Sequence, residues 1–399
     1  MPWYKVDKLK IIRNTYLSYS VLIIILITFM VRASNNMMMT TISLFSKYDL
    51  HFGQLEVGLT ESLMALATFI TTGLINSRLD TVRRRYLFIG SNIGFTIVLA
   101  VMQFSNFITV WIFIAVAGLA FGAIMPNIIT SAGMIDDKKV REKVLGIYTL
   151  ALSVSLIAGP ALESYILKFE PLRYIFLFFV PLGIVASVLS PFLRFPDSKS
   201  EIKKKKIRVF GEPGFRVAVY AILAYNIIFA LLITFGGIYA RSVLKLSLSD
   251  VSLLFTGFFI VSFSSRLFIS WKAPENLWHY LGTAIIITLT GIIFLFFGVS
   301  DIIYIIAYLL LGIPHGVTYP LSIVSISRTF DMSYRNMANS YFFSIMMAIG
   351  IITPTAGGLI ENAIGFRYMF LALFPVILFL LFASNSNMKK MKFKATEMA

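Results

Sequence analysis

One arginine lies in the middle of the first long apolar stretch of the chain. Arg32 is sixteen positions from both Tyr16 and Tyr48. A charged side chain at the centre of a bilayer costs about 2.5–3.5 kcal/mol or more, so we expect the guanidinium group to face water, a partner or a ligand. The functional interpretation is that Arg32 binds an anionic group or helps to couple the site to ions. The alternative is a structural arginine held by carbonyl groups or by an acid on a neighbouring helix.

Polar side chains accompany Arg32 at helical spacing. Residues three, four or seven positions apart share one face of a helix. Asn35 and Asn36 therefore lie beside Arg32, and we predict that they bind the same ligand. The complete stripe consists of Thr28, Arg32, Asn35, Asn36, Met39 and Ser43.

Glu61 is the acidic residue best suited to be the partner of Arg32. It lies about two turns into the second apolar stretch, and Thr68 and Thr72 share its helix face. Ionisable residues inside membrane proteins often relay protons, and we predict this role for Glu61. The alternative is an interfacial glutamate whose carboxyl group reaches water near the membrane surface.

A single histidine lies inside an apolar stretch. His315 is flanked by Gly312 and Gly316, with Tyr319 and Ser322 on the same helix face. Because histidine titrates near neutral pH, His315 is a second candidate for proton coupling, and we predict that His315 and Tyr319 also bind the ligand. A packing histidine that bonds to a neighbouring helix explains the position equally well.

Other polar residues extend the candidate site. We predict that Asn127, in the fourth apolar stretch, and Tyr225 and Asn226, in the seventh, contact the ligand. For each of them the alternative is hydrogen bonding between helices. Glu163 and Glu361 lie towards the ends of the fifth and eleventh stretches, and we interpret them as helix-end structure.

The sequence carries no pattern typical of an enzyme. It has no cysteine, which excludes disulfides and thiolate chemistry. It also lacks a His-x-x-x-His pair and a phosphate-cradling Gly-Lys-Ser/Thr motif. We therefore predict no cofactor, no metal site and no ATP site.

The elements that must position these residues are membrane-spanning helices. The chain of 399 residues is 58% hydrophobic and only 14% charged, whereas a soluble domain has about 25% charged residues. About 20 apolar residues of helix cross a bilayer, and we expect the first run to be a retained span rather than a cleaved signal peptide. Twelve such runs are predicted at 16–45, 56–77, 86–104, 108–132, 144–167, 174–193, 217–241, 250–270, 280–298, 302–327, 337–360 and 367–384.

Lysine and arginine residues predict the orientation of the spans. With the N-terminus inside, 28 of the 35 basic residues fall in inner segments and 6 in outer loops, Arg32 being the last. This asymmetry predicts that both termini are cytoplasmic, and explains the net charge of +16 without nucleic acid. The one long connection, 196–214, is basic: it is either a solvated tether or a surface for anionic lipid headgroups.

The two halves of the sequence repeat each other at an offset of 194 residues. Gly118, Gly122 and Pro126 fall on Gly312, Gly316 and Pro320. The offset spans an even number of predicted helices, so corresponding helices run in the same direction, as in a parallel repeat. We predict a six-helix bundle at 1–195, a linker at 196–214 and a second bundle at 215–399. The offset also aligns Arg141 with Arg335, Pro160 with Pro354, Arg173 with Arg367 and Pro181 with Pro375.

The segment between the second and third spans resembles a motif of the major facilitator superfamily. Residues 73–85 are similar to Gly-x-Leu-Ala-Asp-Arg-x-Gly-Arg-Arg, although Ser77 stands at the usual Asp and Asp80 at the usual Gly. In that family the loop helps to latch the outward-facing state, so the resemblance implies a latch that is weakened or rebuilt around Asp80. The residues that this carries over to the present chain are Gly73, Arg78, Asp80, Arg83 and Arg84.

The fifth span is similar to a second motif of the same family, Gly-x-x-x-Gly-Pro-x-x-Gly-Gly, which is associated with antiporters. Gly159 and Pro160 keep its centre, whereas Ser155, Glu163 and Ser164 replace three of its glycines. Proline removes a backbone donor and bends a helix, so Gly159, Pro160 and the equivalent Pro354 are predicted hinges. The resemblance implies an all-α membrane protein with twelve transmembrane helices in two pseudo-symmetric six-helix bundles.

Together these features predict a secondary active transporter that moves a small organic solute by alternating access. Arg32 favours an organic anion, and proton coupling is expected through Glu61 or His315. The alternatives are an exporter of amphipathic compounds by proton antiport and a non-transporting sensor or partner protein with the same fold. We expect a monomer in the plasma membrane whose partners are the solute, protons and the lipid bilayer.

Overall fold

The computed structural model describes residues 3–133, 138–195, 208–271 and 276–397, and these residues are almost entirely helical, without a strand. Twelve helices in the described residues are long and apolar enough to cross a membrane, which confirms the predicted fold class. We number these spans α1 to α12. They are Tyr19–Tyr48, Gln54–Arg78, Thr81–Phe104, Thr109–Ala132, Lys143–Ile166, Leu172–Phe192, Pro213–Ser242, Leu248–Trp271, Leu277–Phe297, Asp301–Thr329, Met337–Ile364 and Phe366–Lys390.

Several helices continue beyond these spans or change their winding. The first helix begins at Trp3, and the last ends at Glu397. The end of α2 changes to a π-helix at Ile70–Ile75 and then to a 3₁₀ turn, and α7 contains a second π-helix at Leu232–Gly236. The wider turns of a π-helix interrupt the regular hydrogen bonding of an α-helix and are frequent at functional sites.

The chain forms two compact units whose limits fall within α1, α2 and α5. The first unit contains Met1–Met38, Leu66–Leu162 and Phe169–Glu201. The second contains Met39–Ala65, Glu163–Lys168 and Ile202–Ala399. The division of the sequence at the linker 196–214 stays a prediction, and residues 196–207 of that linker lie outside the described residues.

One helix crossing recurs in both units. In the first unit, a Cβ atom on Gly122 of α4 would overlap the carbonyl oxygen of Thr68 on α2. In the second unit, Gly316 of α10 has the same relationship to Ser262 of α8. Both pairs are related by the offset of 194 residues, so the repeated glycines have the same role in each unit, which is to let two helix backbones approach closely.

The loop between α2 and α3 has a local structural role in the first unit. The side chain of Asp80 accepts a hydrogen bond of 2.8 Å from the backbone N–H of Arg83 and so caps the start of α3. The same carboxylate pairs with the exposed Arg83 side chain at 3.4 Å. Arg84 donates to the carbonyl oxygen of Leu79, and the Ser77 hydroxyl donates to that of Gly73, which lies in the π-helical end of α2.

Candidate functional site

Arg32 lies within α1, in the first unit, and is half buried. Its guanidinium carbon is 5.4 Å from the centre of the Phe121 ring on α4. At this distance an aromatic face attracts a cation. A guanidinium group carries five N–H donors in a planar fork, the geometry that suits a carboxylate.

One of the two asparagines beside Arg32, Asn36, joins α1 to α5. Asn35 and Asn36 are both buried, and the Asn36 amide donates a 2.6 Å hydrogen bond to the carbonyl oxygen of Leu156. Gly159, one turn further along α5, permits this approach, since a Cβ atom there would lie 2.5 Å from the carbonyl oxygen of Ala33. The geometry of Asn36 thus fits the alternative of hydrogen bonding between helices.

Asn127 is engaged in the same way. Its amide nitrogen donates to the side-chain oxygen of Asn76 at 2.8 Å and to the carbonyl oxygen of Ala123 at 2.7 Å. Both asparagines are buried, and their bond joins α4 to the 3₁₀ turn at the end of α2. Asn127 therefore uses its two donors within the protein.

His315 and Tyr225 are brought together in the second unit. His315 Nδ1 lies 2.6 Å from the Ser262 hydroxyl, and the centres of its ring and of the Tyr225 ring are 5.5 Å apart. Aromatic side chains surround the imidazole at 4.7–5.6 Å between ring centres. They are Tyr225, Phe229, Phe258 and Phe259.

Arg266, near the end of the predicted span 250–270, belongs to the same region. It is half buried on α8 and lies near the side chains of Tyr225 and Tyr319. Tyr319 also packs against the Phe342 and Phe343 rings, and Asn226 is half buried on α7. The sequence signal that could have placed Arg266 near this region is its spacing from Ser262, since residues four positions apart lie on one helix face.

Two buried glutamates accept hydrogen bonds from hydroxyl groups of α1. Glu61 takes a 2.9 Å bond from Ser43, and Glu163 takes bonds from Thr40 at 2.7 Å and Thr41 at 2.6 Å. Glu61 is 8% exposed and Glu163 is fully enclosed. We call the residues Thr40, Thr41, Ser43, Glu61, Glu163 and Ser252 the carboxyl–hydroxyl cluster. Glu163, interpreted above as helix-end structure, is thus the more deeply buried of the two acids.

Polar contacts around this cluster join helices from the two halves of the sequence within the second unit. The Ser164 hydroxyl on α5 donates to the carbonyl oxygen of Ser249 on α8 at 2.8 Å. On the other side, the Ser62 hydroxyl on α2 lies 2.7 Å from that of Thr355 on α11. Beyond them, the amide of Gln54 donates to the half-buried carboxylate of Glu361 at 3.1 Å.

Twelve apolar spans with a repeated helix crossing and with ionisable groups buried inside several spans define a polytopic membrane protein of the kind that moves solutes. The family follows from comparison with known proteins. The model of the Major Facilitator Superfamily matches residues 24–313 and, in a second match, 241–396. The chain belongs to this family and is therefore a transporter rather than an enzyme, as the motif at 73–85 predicted.

Relatives of known structure share the fold at low sequence identity. A bacterial homologue of the human lysosomal transporter Spinster, inward-facing and unoccupied, is 15% identical, with a TM-score of 0.74 over 94% of this chain and 98% of that one. The nucleoside transporter NupG is 15% identical, with a TM-score of 0.69 over 93% and 99%. The human organic anion transporter MFSD10 is 13% identical, with a TM-score of 0.67 over 92% and 99%.

A curated relative matches part of the chain. Multidrug resistance protein 1 of Bacillus subtilis (strain 168) is 23% identical over 261 residues, which are 61% of this chain. The match spans 66% of the length of that relative.

Proposed function

We propose that this transporter moves a small organic anion by alternating access and draws its energy from a proton gradient. The observation that carries the proposal is the half-buried Arg32, in the middle of an apolar span, with its guanidinium group against the Phe121 ring. Guanidinium binds carboxylate through two parallel hydrogen bonds. An arginine at this depth has a functional role by default.

Further groups would complete recognition of the solute. Asn35 and Asn36 belong to the stripe of Arg32. Asn127 lies on α4, the helix that carries Phe121, and because its donors are engaged within the protein it would offer its side-chain oxygen to a donor group of the solute. Considered by itself, the second unit has its own proposed solute-binding residues, Tyr225, Asn226, His315 and Tyr319, with the rings of Tyr225 and His315 in contact. Aromatic rings with a few polar groups are typical of sites for small organic molecules.

Glu61 is the proposed carrier of the coupling proton. It is buried, and the Ser43 hydroxyl donates to one of its oxygens. A proton on Glu61 would neutralise a carboxylate that is otherwise costly to bury. His315, which is bonded to Ser262, is the second candidate.

Alternating access would use the predicted hinges and the loop between α2 and α3. Gly159 and Pro160 lie inside α5, which is a continuous helix, and Pro354 lies inside α11. In the proposed change of state, α5 and α11 would bend at these residues, and Gly73, Arg78, Asp80, Arg83 and Arg84 would control the change. The basic residues favour cytoplasmic termini, and we propose a monomer in the plasma membrane made of two bundles, 1–195 and 215–399.

Transport into reconstituted vesicles tests the proposal. Vesicles containing the purified protein receive an imposed pH gradient and a panel of radiolabelled aromatic and aliphatic carboxylates, with their neutral amides as matched controls. We expect at least one carboxylate to accumulate, its amide to stay at the background level, and a protonophore to abolish the accumulation. Equal accumulation of a carboxylate and its amide would overturn the organic-anion proposal, and accumulation unaffected by the protonophore would overturn proton coupling.

The second candidate function is export of amphipathic or aromatic compounds by proton antiport. The observation that favours it is the set of four aromatic rings around His315, within 4.7–5.6 Å of the imidazole, and the curated relative is a multidrug resistance protein. The same vesicles distinguish the two functions. Transport of a lipophilic cation in exchange for protons would support export, and it would contradict the proposal that Arg32 binds an anionic solute.

A further inference from the structure

Glu163 is the acidic group that the proposed function does not use, although it is the more completely buried of the two in the cluster. It stands in α5 where the similar motif has glycine, and its side chain is fully enclosed. Both carboxyl oxygens accept hydrogen bonds, from Thr40 at 2.7 Å and from Thr41 at 2.6 Å. A third hydroxyl group, that of Ser252 on α8, lies near this carboxyl group and donates to the carbonyl oxygen of Leu248 at 3.2 Å.

No fixed cation balances the charge of this group within the described part of the chain, where Glu163 forms no ion pair. Arg32 of α1 and Arg266 of α8 lie two or more helical turns from Thr40 and Ser252 along their helices, and the nearer charged and titratable groups have other partners. On α1, Lys47 donates to the carbonyl oxygen of Phe52, and the Tyr48 hydroxyl donates to that of Ile238.

Two acidic residues on the neighbouring helices also have hydrogen-bond partners of their own. On α2, Glu61 accepts from Ser43, and on α8, the exposed Asp250 accepts from Ser247. Neither acid can neutralise Glu163. A buried carboxylate without a cation is strongly destabilised, so this packed arrangement requires that Glu163 take up a positive ion.

The distances favour a proton over a metal ion. Separations of 2.6 and 2.7 Å are those of O–H···O hydrogen bonds. A hard cation such as calcium is held about 2.3–2.6 Å from each of its oxygen ligands, and oxygens that share such an ion lie further apart than this. Hydroxyl groups can bond to Glu163 in both of its protonation states, because each can donate to a carboxylate or accept from a carboxylic acid.

We propose that Glu163 is a second proton-binding site, occupied while the end of α5 is packed against α1 and α8 and vacated when these helix ends separate. On separation, the O–H bond of the carboxylic acid breaks, the proton passes to water, and the carboxylate becomes hydrated. The packed arrangement thus holds one proton that the separated arrangement releases. This inference rests on the proposed alternating access but not on the identity of the solute or on the role of Glu61.

Infrared spectroscopy detects the proton directly. The purified full-length protein is compared with its Glu163→Gln variant and with the control variant Glu56→Gln, which changes an exposed glutamate in the first turn of α2. We expect a carboxylic-acid carbonyl band near neutral pH that disappears in Glu163→Gln and persists in Glu56→Gln. A spectrum in which Glu163→Gln removes only carboxylate intensity would overturn the proposal.

A cysteine reporter measures the linked opening, and the chain has no native cysteine to interfere. Ser249→Cys places the thiol at the buried contact of α8 with Ser164 of α5, and Asn106→Cys places one at an exposed loop as a control for the reactivity of thiols. Both are prepared with Glu61→Gln, so that Glu61 cannot contribute.

We expect maleimide labelling at position 249, relative to position 106, to rise with pH by up to about tenfold per unit, as for an equilibrium linked to one proton. The rise should vanish with Glu163→Gln. The same pH dependence with glutamine at 163 would contradict the proposal. Both readouts are independent of solute flux, so they can hold when no organic anion is transported, and they can fail when transport is intact.

Discussion

Gly358 of α11 lies so close to Gln54 of α2 that a Cβ atom would overlap the carbonyl oxygen of Gln54. The related position in the other half of the sequence, 194 residues earlier, is Ser164, whose hydroxyl group bonds to the carbonyl oxygen of Ser249 on α8. The repeat therefore brings the ends of α5 and α11 to the starts of α8 and α2 by equivalent crossings. At the crossing of α5 with α8 a hydrogen bond joins the helices, whereas at the crossing of α11 with α2 a glycine without a side chain lets the two backbones approach.

The first prediction concerns this close approach. Gly358→Ala should force α11 away from α2, because the nearby atoms are backbone atoms that cannot rotate aside. Overpacking of this kind costs about 1–3 kcal/mol, so we expect a lower thermal midpoint and greater maleimide labelling of Ser62→Cys on α2, at the contact with Thr355 of α11. The control is Gly350→Ala on the same helix, where the new Cβ atom would meet only the Cβ of Ala65 at 3.7 Å. Equal midpoints for the two variants would show that the crossing is not tight.

The second prediction separates structure from ligand binding at Asn127. Its bond to Asn76 predicts that Asn127→Ala and Asn76→Ala each destabilise the protein, by about 0.6–1.7 kcal/mol if they behave as other hydrogen bonds between membrane helices do. The double variant should lose less than the sum, because both changes remove one shared bond. Thermal unfolding measures this coupling. If the two losses of stability are strictly additive and only Asn127→Ala loses affinity for the solute, Asn127 binds the ligand rather than joining the two helices.

The fold could be predicted from the sequence because its signals are long and repeated. Twelve apolar runs fix the spans, and Gly122 and Gly316 recur in register because both meet a helix backbone. The contacts within the candidate site were harder to predict from the sequence. Helical spacing places Arg32 and Asn36 in one polar stripe, but it does not reveal that the Asn36 amide donates to the carbonyl oxygen of Leu156, 120 residues away.

Glu163 and Arg266 show the same limit. Both lie near the ends of apolar runs, where a charged residue ordinarily meets water. Their burial depends on which helices pack against them: α1 supplies Thr40 and Thr41 to Glu163, and Tyr225 and Tyr319 lie near Arg266. That information resides in contacts between distant segments, which neither periodicity nor composition contains.

The third prediction concerns coupling through Glu61. Glu61→Gln keeps the shape of the side chain and an oxygen for Ser43, but it cannot bind and release a proton. We expect accumulation driven by a pH gradient to be lost, while exchange of labelled for unlabelled solute at equal pH continues. The matched variant Ser43→Ala removes the hydrogen bond and should reduce accumulation without abolishing it. Gradient-driven accumulation at the parental rate in Glu61→Gln would transfer the coupling role to another group, with His315→Gln as the next variant to measure.

The fourth prediction concerns Arg32. If its guanidinium group binds the anionic group of the solute, Arg32→Ala removes charge-assisted hydrogen bonds worth about 1.5–3 kcal/mol, which corresponds to a roughly 10- to 150-fold loss of affinity. Arg32→Lys keeps the charge but not the paired donors, so we expect an intermediate loss. Arg208→Ala, at an exposed arginine, is the control for a change in net charge. Binding is measured as the rise in thermal midpoint with solute concentration, because a ligand that binds only the folded state stabilises it. A parental rise in Arg32→Ala, in protein that remains folded, would assign Arg32 a structural role beside Phe121 and would remove the main reason to expect an anionic solute.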